Sequence, residues 1–405
     1  MLRSLILGLV GLSVSLVGLR AGDWPQFRGP EGNGVVADPY PTRWSGTENL
    51  AWKTPLAGRG LSGPVVAAGR VFTTSCAGRK DDRLIIECHE AATGKPLWLR
   101  QIWATGSTAC HPSSSMAAPT PAADAERVYA LFATGDLACF SHAGALLWYR
   151  AFCQDFPSIT NQVGMASSPI LAGNVLIVPM ENVGADSFVA GLDVATGQTL
   201  WRVDRPRDEN WTTPLVVRRS DGYDVLLLSG SNLTAVDAAS GKERWRHAAA
   251  GLSTIPSPAS GVDGIVVPGG MSGEMVFIRP GTTGAPEVLW KQRMRTRYAS
   301  PLLLEGKVYV IAAADVLHCV DVKTGKLDWQ LRLKNGPFAA SPLAAGGLIY
   351  CLSEKGLCSV VKPGPQGEVV AANQIDDVFM STPALSGGRI FLRAERHLYC
   401  ISDKP

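Results

Sequence analysis

A six-residue phrase that ends in tryptophan recurs along this chain and limits the folds that it can adopt. The phrase reads TGKPLW at 93–98, TGQTLW at 196–201, SGKERW at 240–245 and TGKLDW at 324–329, with a looser AGALLW at 143–148. A Ser-Pro or Thr-Pro step also recurs, with Gly63 preceding the first proline; the prolines are Pro64, Pro121, Pro169, Pro214, Pro258, Pro301, Pro342 and Pro383. Their successive gaps are 57, 48, 45, 44, 43, 41 and 41 residues. Periods of about 40–45 residues are typical of propeller blades.

One repeat, SPLLLEGKVYVIAAADVLHCVDVKTGKLDW at 300–329, contains the pattern of four β-strands. Short apolar runs alternate with turn residues, and the glycine of the last turn supplies the positive φ of a tight hairpin. Three repeats place an aspartate four residues before that glycine, namely Asp193, Asp237 and Asp321. A carboxylate at this position can accept hydrogen bonds from the turn backbone.

The last repeat, at 382–405, has only three strands, so its fourth must come from elsewhere in the chain. NLAWKTP at 49–55 has the right form, with Trp52 in place of the blade-ending tryptophan. Pairing the first strand with the last blade removes an open sheet edge. We therefore predict an all-β fold at 49–405: an eight-bladed β-propeller of four-stranded antiparallel blades, closed by the N-terminal strand.

The N-terminus has the layout of a secretory signal peptide, with Arg3, an apolar run over 5–19 and Ala21. A membrane anchor is the alternative, but the run is shorter than the roughly 20 residues that span a bilayer. We expect residues 1–21 to be a cleaved signal peptide and the mature chain, without a transmembrane span, to reach the periplasm or the extracellular space. No cysteine precedes Cys76, so we expect no lipid-modified N-terminal cysteine.

The charge of the chain bears on its partners, and its cysteine content bears on disulfide bonds. It has 38 basic and 35 acidic residues, without the clustered basic face that nucleic-acid binding needs. We therefore expect no nucleic-acid partner. The nine cysteines are an odd number, and Cys110 and Cys153 are the best candidates for a disulfide. Five others recur on the third strand of a blade, where a small buried hydrophobe is expected: Cys88, Cys139, Cys319, Cys358 and Cys400.

The pattern of apolar strand, Asp, Thr-Gly-Lys or Thr-Gly-Gln, and Trp resembles the repeats of the PQQ-like (quinoprotein alcohol dehydrogenase-like) β-propeller family. The resemblance covers about residues 49–405 and is specific in at least four repeats, whereas GEVVAANQ at 367–374 lacks the tryptophan. In that family these tryptophans dock on the neighbouring blade. The resemblance implies such a structural role for Trp52, Trp98, Trp148, Trp201, Trp245, Trp290 and Trp329.

The segment DWPQFRGPEGNGV at 23–35 resembles the opening of many exported bacterial propellers of this type, particularly from planctomycetes. Its three glycines lack the spacing, preceding strand and following helix of a phosphate loop. We expect residues 22–48 to form an N-terminal capping segment, with Trp24 and Phe27 packed on the propeller rim.

The topology also indicates where functional residues lie. The Thr-Gly turns share one face of the propeller, so the long connections share the opposite one, here called the loop-rich face, and function usually resides in such loops. The candidate ligand-binding residues around its central funnel are Arg59, His111, Asn161, Glu181, Asp186, Asn210, Arg297, Tyr298 and Asp377. Alternatives remain open: the cluster at 181–186 suits either calcium ligation or turn hydrogen bonds. Arg297 and Tyr298 suit an anion, an aromatic ligand or a plain arginine–carboxylate pair.

No residue is assigned as catalytic and no metal site is predicted, because His111 has no second His or Cys at metal-ligand spacing. The family resemblance implies pyrroloquinoline quinone (PQQ) with calcium over the funnel, held by acidic and amide side chains beside a catalytic aspartate. No residue set in this chain matches that cofactor motif. The Cys-Cys pair of several such alcohol dehydrogenases is also missing from the sequence. PQQ and calcium therefore remain a possibility without a matched site.

The predicted function is that of an exported, non-catalytic scaffold that binds an envelope protein, or a small-molecule or glycan ligand. In this it resembles the BamB-like propeller subunit of the outer-membrane β-barrel assembly machinery. One alternative is a PQQ- and calcium-dependent quinoprotein dehydrogenase that acts on alcohols or sugars. The other is a polysaccharide-binding module in which Trp211, Tyr298 and Phe338 stack on a sugar ring.

Overall fold

A computed structural model of the protein describes residues 22–107, 109–161, 164–270, 273–281 and 284–403. The predicted signal peptide lies outside the described residues. Within them the chain is almost entirely β-structure, with one short helix, α1 at Phe152–Asp155. No helix in this part of the chain is long and apolar enough to span a membrane.

The strands form eight four-stranded antiparallel sheets, which are the blades of a propeller. Two strands precede the first blade: β1 Val35–Val36 and β2 Leu50–Pro55. Blades one and two consist of β3 Val65–Ala67, β4 Arg70–Ala77, β5 Arg83–Glu90 and β6 Pro96–Trp103, then β7 Ala122–Ala123, β8 Arg127–Leu131, β9 Asp136–Ser141 and β10 Leu146–Ala151. Blades three and four consist of β11 Ile170–Ala172, β12 Val175–Met180, β13 Phe188–Asp193 and β14 Thr199–Asp204, then β15 Leu215–Arg219, β16 Gly222–Ser229, β17 Asn232–Asp237 and β18 Glu243–Ala248.

The second half of the ring repeats this plan. Blades five and six consist of β19 Ala259–Gly261, β20 Gly264–Val267, β21 Glu274–Arg279 and β22 Glu287–Arg293, then β23 Leu302–Leu304, β24 Lys307–Ala312, β25 Val316–Asp321 and β26 Leu327–Arg332. Blades seven and eight consist of β27 Leu343–Ala345, β28 Leu348–Leu352, β29 Leu357–Lys362 and β30 Glu368–Gln374, then β31 Ala384–Ser386, β32 Arg389–Arg393 and β33 His397–Ile401. The first strands of blades one to seven contact one another in turn, a hydrogen bond from the Ser341 N–H to the Thr382 hydroxyl joins blades seven and eight, and β3 contacts β31, so the ring is closed.

Blade eight takes its fourth strand from the N-terminal side of the propeller, as the sequence predicts. Strand β2 pairs antiparallel with β33, and Trp52 stands opposite Cys400. The prediction of an eight-bladed ring closed by its N-terminal strand is therefore confirmed. Strand β1 was not foreseen: it pairs in parallel with β27 and gives blade seven a fifth strand.

Burial follows the position of a strand within its blade. The middle strands are covered on both faces by neighbouring blades, and every residue of β12 is buried. The fourth strands form the perimeter and are half exposed, as in β26. The five recurring cysteines are buried in the middle layer, and Cys110 and Cys153 are free thiols rather than a disulfide.

The blade tryptophans connect each blade to the next. The indole Nε1 of Trp201 donates to the carbonyl of Ala238 in blade four at 2.8 Å. Its ring lies so close to Gly241 of that blade's turn that a Cβ there would be 2.7 Å from it. The same packing joins Trp52 to Gly94, Trp98 to Gly144, Trp148 to Gly197, Trp290 to Gly325 and Trp329 to Gly367. Glycine and tryptophan recur together because each phrase supplies a glycine to one neighbouring blade and a tryptophan to the other.

Residues 22–36 cross the base of the ring, on the face of the tight turns. Trp24 is 1% exposed and exchanges two backbone hydrogen bonds of 2.8 Å with Val66 of β3. Phe27 lines the cavity on the propeller axis. These two residues therefore pack on the innermost strands, whereas the sequence placed them at the rim. Further hydrogen bonds join the segment to five other blades, between Pro25 and Ala123, Gln26 and Leu171, Arg28 and Pro301, Gly34 and Ala344, and Gly22 and Ser386.

Candidate functional site

The residue before each repeated proline faces the propeller axis. In seven blades it carries a hydroxyl, which accepts a hydrogen bond of 2.9–3.1 Å from the equivalent backbone N–H of the preceding blade. We call these seven residues the hydroxyl ring: Thr120, Ser168, Thr213, Ser257, Ser300, Ser341 and Thr382. The Ser-Pro and Thr-Pro steps thus join neighbouring blades at the axis.

The hydroxyl ring is open at one place, the seam between blades eight and one. Gly63 has no side chain that could accept from the N–H of Thr382. A different contact spans this seam, because the buried Arg393 of β32 donates from Nη2 to the carbonyl of Thr74 in β4 at 2.9 Å. The first and last blades are therefore joined by an arginine where other blades are joined by a hydroxyl.

Two positions before each ring position, another side chain faces the axis on the loop-rich face. Side chains of an extended backbone alternate in direction, so the residue in between points away. The eight side chains surround a funnel opening of about 360 Å³. We call them the mouth residues: Leu61, Ala118, Ala166, Trp211, Ile255, Tyr298, Ala339 and Met380. All eight are apolar or aromatic, and the polar residues His111, Ser113 and Ser114 of one loop complete the lining of the opening.

Below the mouth the funnel narrows to an axial cavity of about 120 Å³, whose wall is the hydroxyl ring. Phe27 lines this cavity, and the segment that carries it crosses the base of the ring. The funnel is therefore open on the loop-rich face and blocked at the other.

Two of the nine predicted site residues, Tyr298 and His111, line the funnel. The guanidinium of Arg297 lies over the Tyr298 ring, 4.8 Å from its centroid. His111 is exposed at the margin, where its Nδ1 accepts a hydrogen bond of 3.1 Å from the Ser113 N–H. Arg297 itself lines a neighbouring cavity of about 270 Å³ that shares Tyr298 with the funnel.

Arg59 is not among the residues that line the funnel, but it holds a loop that does. It forms an ion pair with Glu395 of blade eight and donates to the carbonyl of Ser114 at 2.6 Å. Ser114 lines the funnel. The side chain therefore ties the loop of blade two to the seam.

Glu181, Asn210 and Asn161 are buried in the blade walls. Glu181 pairs with Arg205 at 2.8 Å, and both side chains are 3% exposed; burial raises the pKa of the Glu181 carboxyl, which the Arg205 charge partly offsets. Asn210 donates to the carbonyl of Leu228 at 2.6 Å. Asn161 is 2% exposed. These three residues do not line the funnel.

Asp186 and Asp377 are occupied by hydrogen bonds to side chains of other elements. Asp186 accepts a hydrogen bond of 2.5 Å from the Ser158 hydroxyl. Asp377 accepts one of 2.8 Å from Tyr399 and lies 2.9 Å from Nδ1 of His397. The structure therefore does not bring the predicted carboxylates together, and ligand binding by them stays a prediction.

The seven predicted blade tryptophans lie between blades, away from the axis. Five of them are buried, with Trp245 at 6% exposed, and Trp98 and Trp148 are partly buried. Phe338 is 4% exposed, which leaves little of its ring for the sugar stacking considered above.

The sequence analysis names two of the eight mouth residues, Trp211 and Tyr298. The other six stand at the same distance before their Ser/Thr-Pro or Gly-Pro step, so the same spacing marks them. They were not predicted because polar side chains were expected at a ligand site, whereas these six side chains are apolar.

The donor set of the funnel does not suit PQQ with calcium. Calcium takes about six to eight oxygen ligands, with carboxylates among them. In the described residues, the mouth offers apolar side chains and the ring offers neutral hydroxyls. No group of three or more His, Cys, Asp or Glu side chains in this part of the chain could hold a metal ion.

Comparison with known proteins identifies relatives of the chain. Residues 43–178, 85–278 and 282–364 match the family model of the outer membrane protein assembly factor BamB. The BamB proteins of Escherichia coli (strain K12) and Shigella dysenteriae serotype 1 (strain Sd197) are 28% identical over 186 residues, which are 45% of this chain and 44% of theirs. The chain thus spans less than half the length of these curated relatives.

Several solved structures have a similar fold. BamB from Moraxella catarrhalis has a TM-score of 0.64 and 14% identity, covering 88% of this chain and 97% of that one. The quinohemoprotein alcohol dehydrogenase ADHIIG from Pseudomonas putida HK5 has a TM-score of 0.67 and 12% identity, covering 94% and 80%. A europium-containing methanol dehydrogenase has a TM-score of 0.67 and 10% identity, covering 94% and 98%. These likenesses show the fold, whereas the family model covers most of the sequence: the chain belongs to the BamB family of PQQ-like β-propellers.

Proposed function

We propose that this protein is an exported, non-catalytic scaffold of the cell envelope, and that its funnel mouth docks an apolar segment of an envelope protein. The observation that carries the proposal is the ring of eight mouth residues, all apolar or aromatic. Exposed hydrophobic surface with a polar surround is typical of interaction sites. The opening is concave, so it suits side chains that protrude from a partner.

Two aromatic mouth residues are the expected anchors of the contact. Trp211 is fixed in orientation because its indole Nε1 donates to the carbonyl of Gly164 at 2.7 Å. Tyr298 is covered on one side by Arg297. Tryptophan, tyrosine and arginine dominate binding energy at protein interfaces, and a rigid anchor loses little entropy on binding.

The family supports an envelope partner of this kind. The curated relatives are named as outer membrane protein assembly factors, and the signal peptide expected at 1–21 would export the chain to the same compartment. Among the described residues, no carboxylate lines the mouth or the axial cavity, whereas the quinoprotein alternative would need several.

Photo-crosslinking in the native envelope tests the proposal. A photoreactive residue replaces Ala118 or Ala339 at the mouth, and Thr196 on the opposite, tight-turn face as the control. We expect both mouth positions to yield the same protein adduct and the control position to yield none of it. Adducts no more frequent from the mouth than from Thr196 would refute the docking site.

A matched pair of variants tests the anchor. Trp211→Ala should reduce the adduct roughly ten-fold or more, the size expected for an interface anchor. Leu97→Ala should leave it unchanged, because Leu97 is 44% exposed on the outer strand β6, far from the axis. Equal loss in both variants would contradict a specific role of the mouth.

Titration with PQQ and calcium separates this proposal from the dehydrogenase alternative. We expect no saturable heat of binding at high micromolar cofactor and no dye reduction with alcohols or sugars. Calcium-dependent binding with dye reduction would replace the scaffold proposal.

A further inference from the structure

The hydroxyl ring has hydrogen-bond donors that the protein does not use. Each ring oxygen accepts an N–H from the preceding blade, but a hydroxyl also carries one hydrogen to donate. In the described part of the chain, none of the seven donates to a protein acceptor, and all are more than nine-tenths buried. Buried donors are expected to have a partner, so these hydroxyls require an acceptor inside the axial cavity.

A buried positive charge lies next to the innermost strands, in the segment that crosses the base of the ring. Arg28 is 1% exposed and directly follows Phe27, which lines the cavity. Its Nη2 donates to the carbonyl of Pro301, the neighbour of ring residue Ser300, at 2.6 Å. In the described residues, Nε and Nη1 have no hydrogen-bond partner.

No carboxylate compensates this charge in the described residues. The contacts of the Arg28 guanidinium are the carbonyls of Asn33 and Pro301, and no salt bridge includes it. Burial lowers its pKa to about 9, so it remains charged near neutral pH. An isolated buried charge is costly unless it is paired, and its field acts over several ångströms in a medium of low dielectric constant.

We propose that the axial cavity is a binding site for one small monovalent anion, a halide or a carboxylate group, held by the hydroxyl ring over the guanidinium of Arg28. The ring supplies convergent neutral donors and the arginine supplies the single positive charge. A cavity of about 120 Å³ holds one such anion with a few waters, since a liquid water occupies about 30 Å³.

The anion has two possible sources with the same chemistry. It is either a free inorganic ion or the carboxylate end of an apolar molecule that enters through the mouth. The mouth residues lie directly above the ring and line both parts of the funnel. The apolar part of a short carboxylate-bearing molecule would therefore contact them. This inference does not depend on the proposed protein partner.

Crystals of the protein soaked in sodium bromide test the site directly. We expect an anomalous bromide peak in contact with the ring hydroxyls, and its replacement by planar density after soaking in sodium benzoate if carboxylates enter. Loss of the bromide peak in benzoate indicates a carboxylate-bearing ligand, and its retention indicates a free inorganic ion. Water alone in the axial cavity would overturn the proposal.

Thermal unfolding at constant ionic strength gives the solution measurement. Sodium bromide, compared with sodium methanesulfonate, whose anion carries no carboxylate, should raise the melting temperature saturably by about 1–3 °C, as expected for a ligand of the native state. Arg28→Met should abolish this rise, and Arg28→Lys should keep most of it. Arg393→Met is the matched control, a second fully buried arginine located at the seam, and it should keep the rise.

The crystal soak and the thermal unfolding experiment are complementary. If Arg28→Met does not fold, the bromide-soaked crystals of the unaltered protein still decide the question. A bromide effect that survives unchanged in folded Arg28→Met would also overturn the proposal.

Discussion

At the scale of single residues, the fold depends on the contact between a turn glycine and the tryptophan of the preceding blade. Gly241 has a φ of +69°, which other residues adopt at a cost, and the ring of Trp201 occupies the place where a side chain would begin. The glycine is therefore required twice, once by the backbone and once by packing. The two requirements can be measured separately.

Gly241→Ala should destabilise the protein more than Gly69→Ala. Both positions have positive φ, but a Cβ at Gly69 meets nothing within 4 Å, whereas one at Gly241 lies 2.7 Å from Trp201. Both variants lose about 1 kcal/mol through the backbone, and Gly241→Ala should lose about 1–3 kcal/mol more by overpacking. Urea unfolding measures both, and equal losses would show that the tryptophan moves aside freely.

His89 makes stability depend on pH in a defined window. It is 1% exposed in β5, and burial lowers its pKa to about 4, against about 6.5 in an unfolded chain. The unfolded state therefore binds the proton first, and stability falls as pH falls from about 6.5 to about 4, by up to about 1.4 kcal/mol per pH unit.

His89→Gln should flatten this part of the stability profile, measured by urea unfolding at several pH values. His397→Gln is the control, because His397 is partly exposed. An unchanged slope in His89→Gln would contradict the assignment.

At the scale of elements, the sequence predicted the strands well because each blade repeats the same local signals. The repeat at 300–329 folds into β23 to β26 as expected, and Asp321 accepts hydrogen bonds from the turn through Thr324, at 2.9 Å. The sequence analysis uses the Ser-Pro or Thr-Pro step at the entry to the first strand only as a marker of the repeat period. The hydroxyl at this entry accepts from the preceding blade, about one repeat earlier in the chain, so a local pattern could not reveal the hydrogen bond.

Thr213→Val tests the contribution of the hydroxyl ring to the joining of blades. The substitution keeps the shape of the side chain but leaves the buried N–H of Ser168 without its acceptor at 3.1 Å. An unsatisfied buried donor costs about 1–3 kcal/mol, so we expect a loss of stability in this range. Thr213→Ser keeps the hydroxyl and should lose less than about 1 kcal/mol; similar losses in both variants would mean that the methyl group matters instead.

At the scale of the whole molecule, the ring is closed at one seam that differs from the other junctions. Strand β2 completes blade eight, the hydroxyl ring is interrupted at Gly63, and Arg393 spans the gap. The pairing of β2 with β33 could be predicted, because the last repeat lacked a strand. The arginine could not, since its single residue carries no repeat pattern.

Arg393→Met should loosen the seam before the rest of the ring. We expect faster amide hydrogen exchange in β2 and β33, with protection in β16 and β17 kept. Arg205→Met is the matched control, because Arg205 is a buried arginine that joins blades three and four through Glu181 and the carbonyl of Leu227. Faster exchange at the seam in Arg205→Met, or an unchanged rate of exchange at the seam in Arg393→Met, would contradict this view of the closure.

The segment at the base of the ring has a consequence for the order of assembly. Residues 22–36 leave the ribosome before any blade, yet Ser386, which donates to the carbonyl of Gly22, is among the last to appear. Strand β2 likewise waits for β33, to which Trp52 is joined opposite Cys400. Contacts between such distant parts of a chain form slowly. The segment that precedes all the blades is therefore the last to reach its place, and neither the base nor the closure of the propeller can be completed before blade eight has been synthesised.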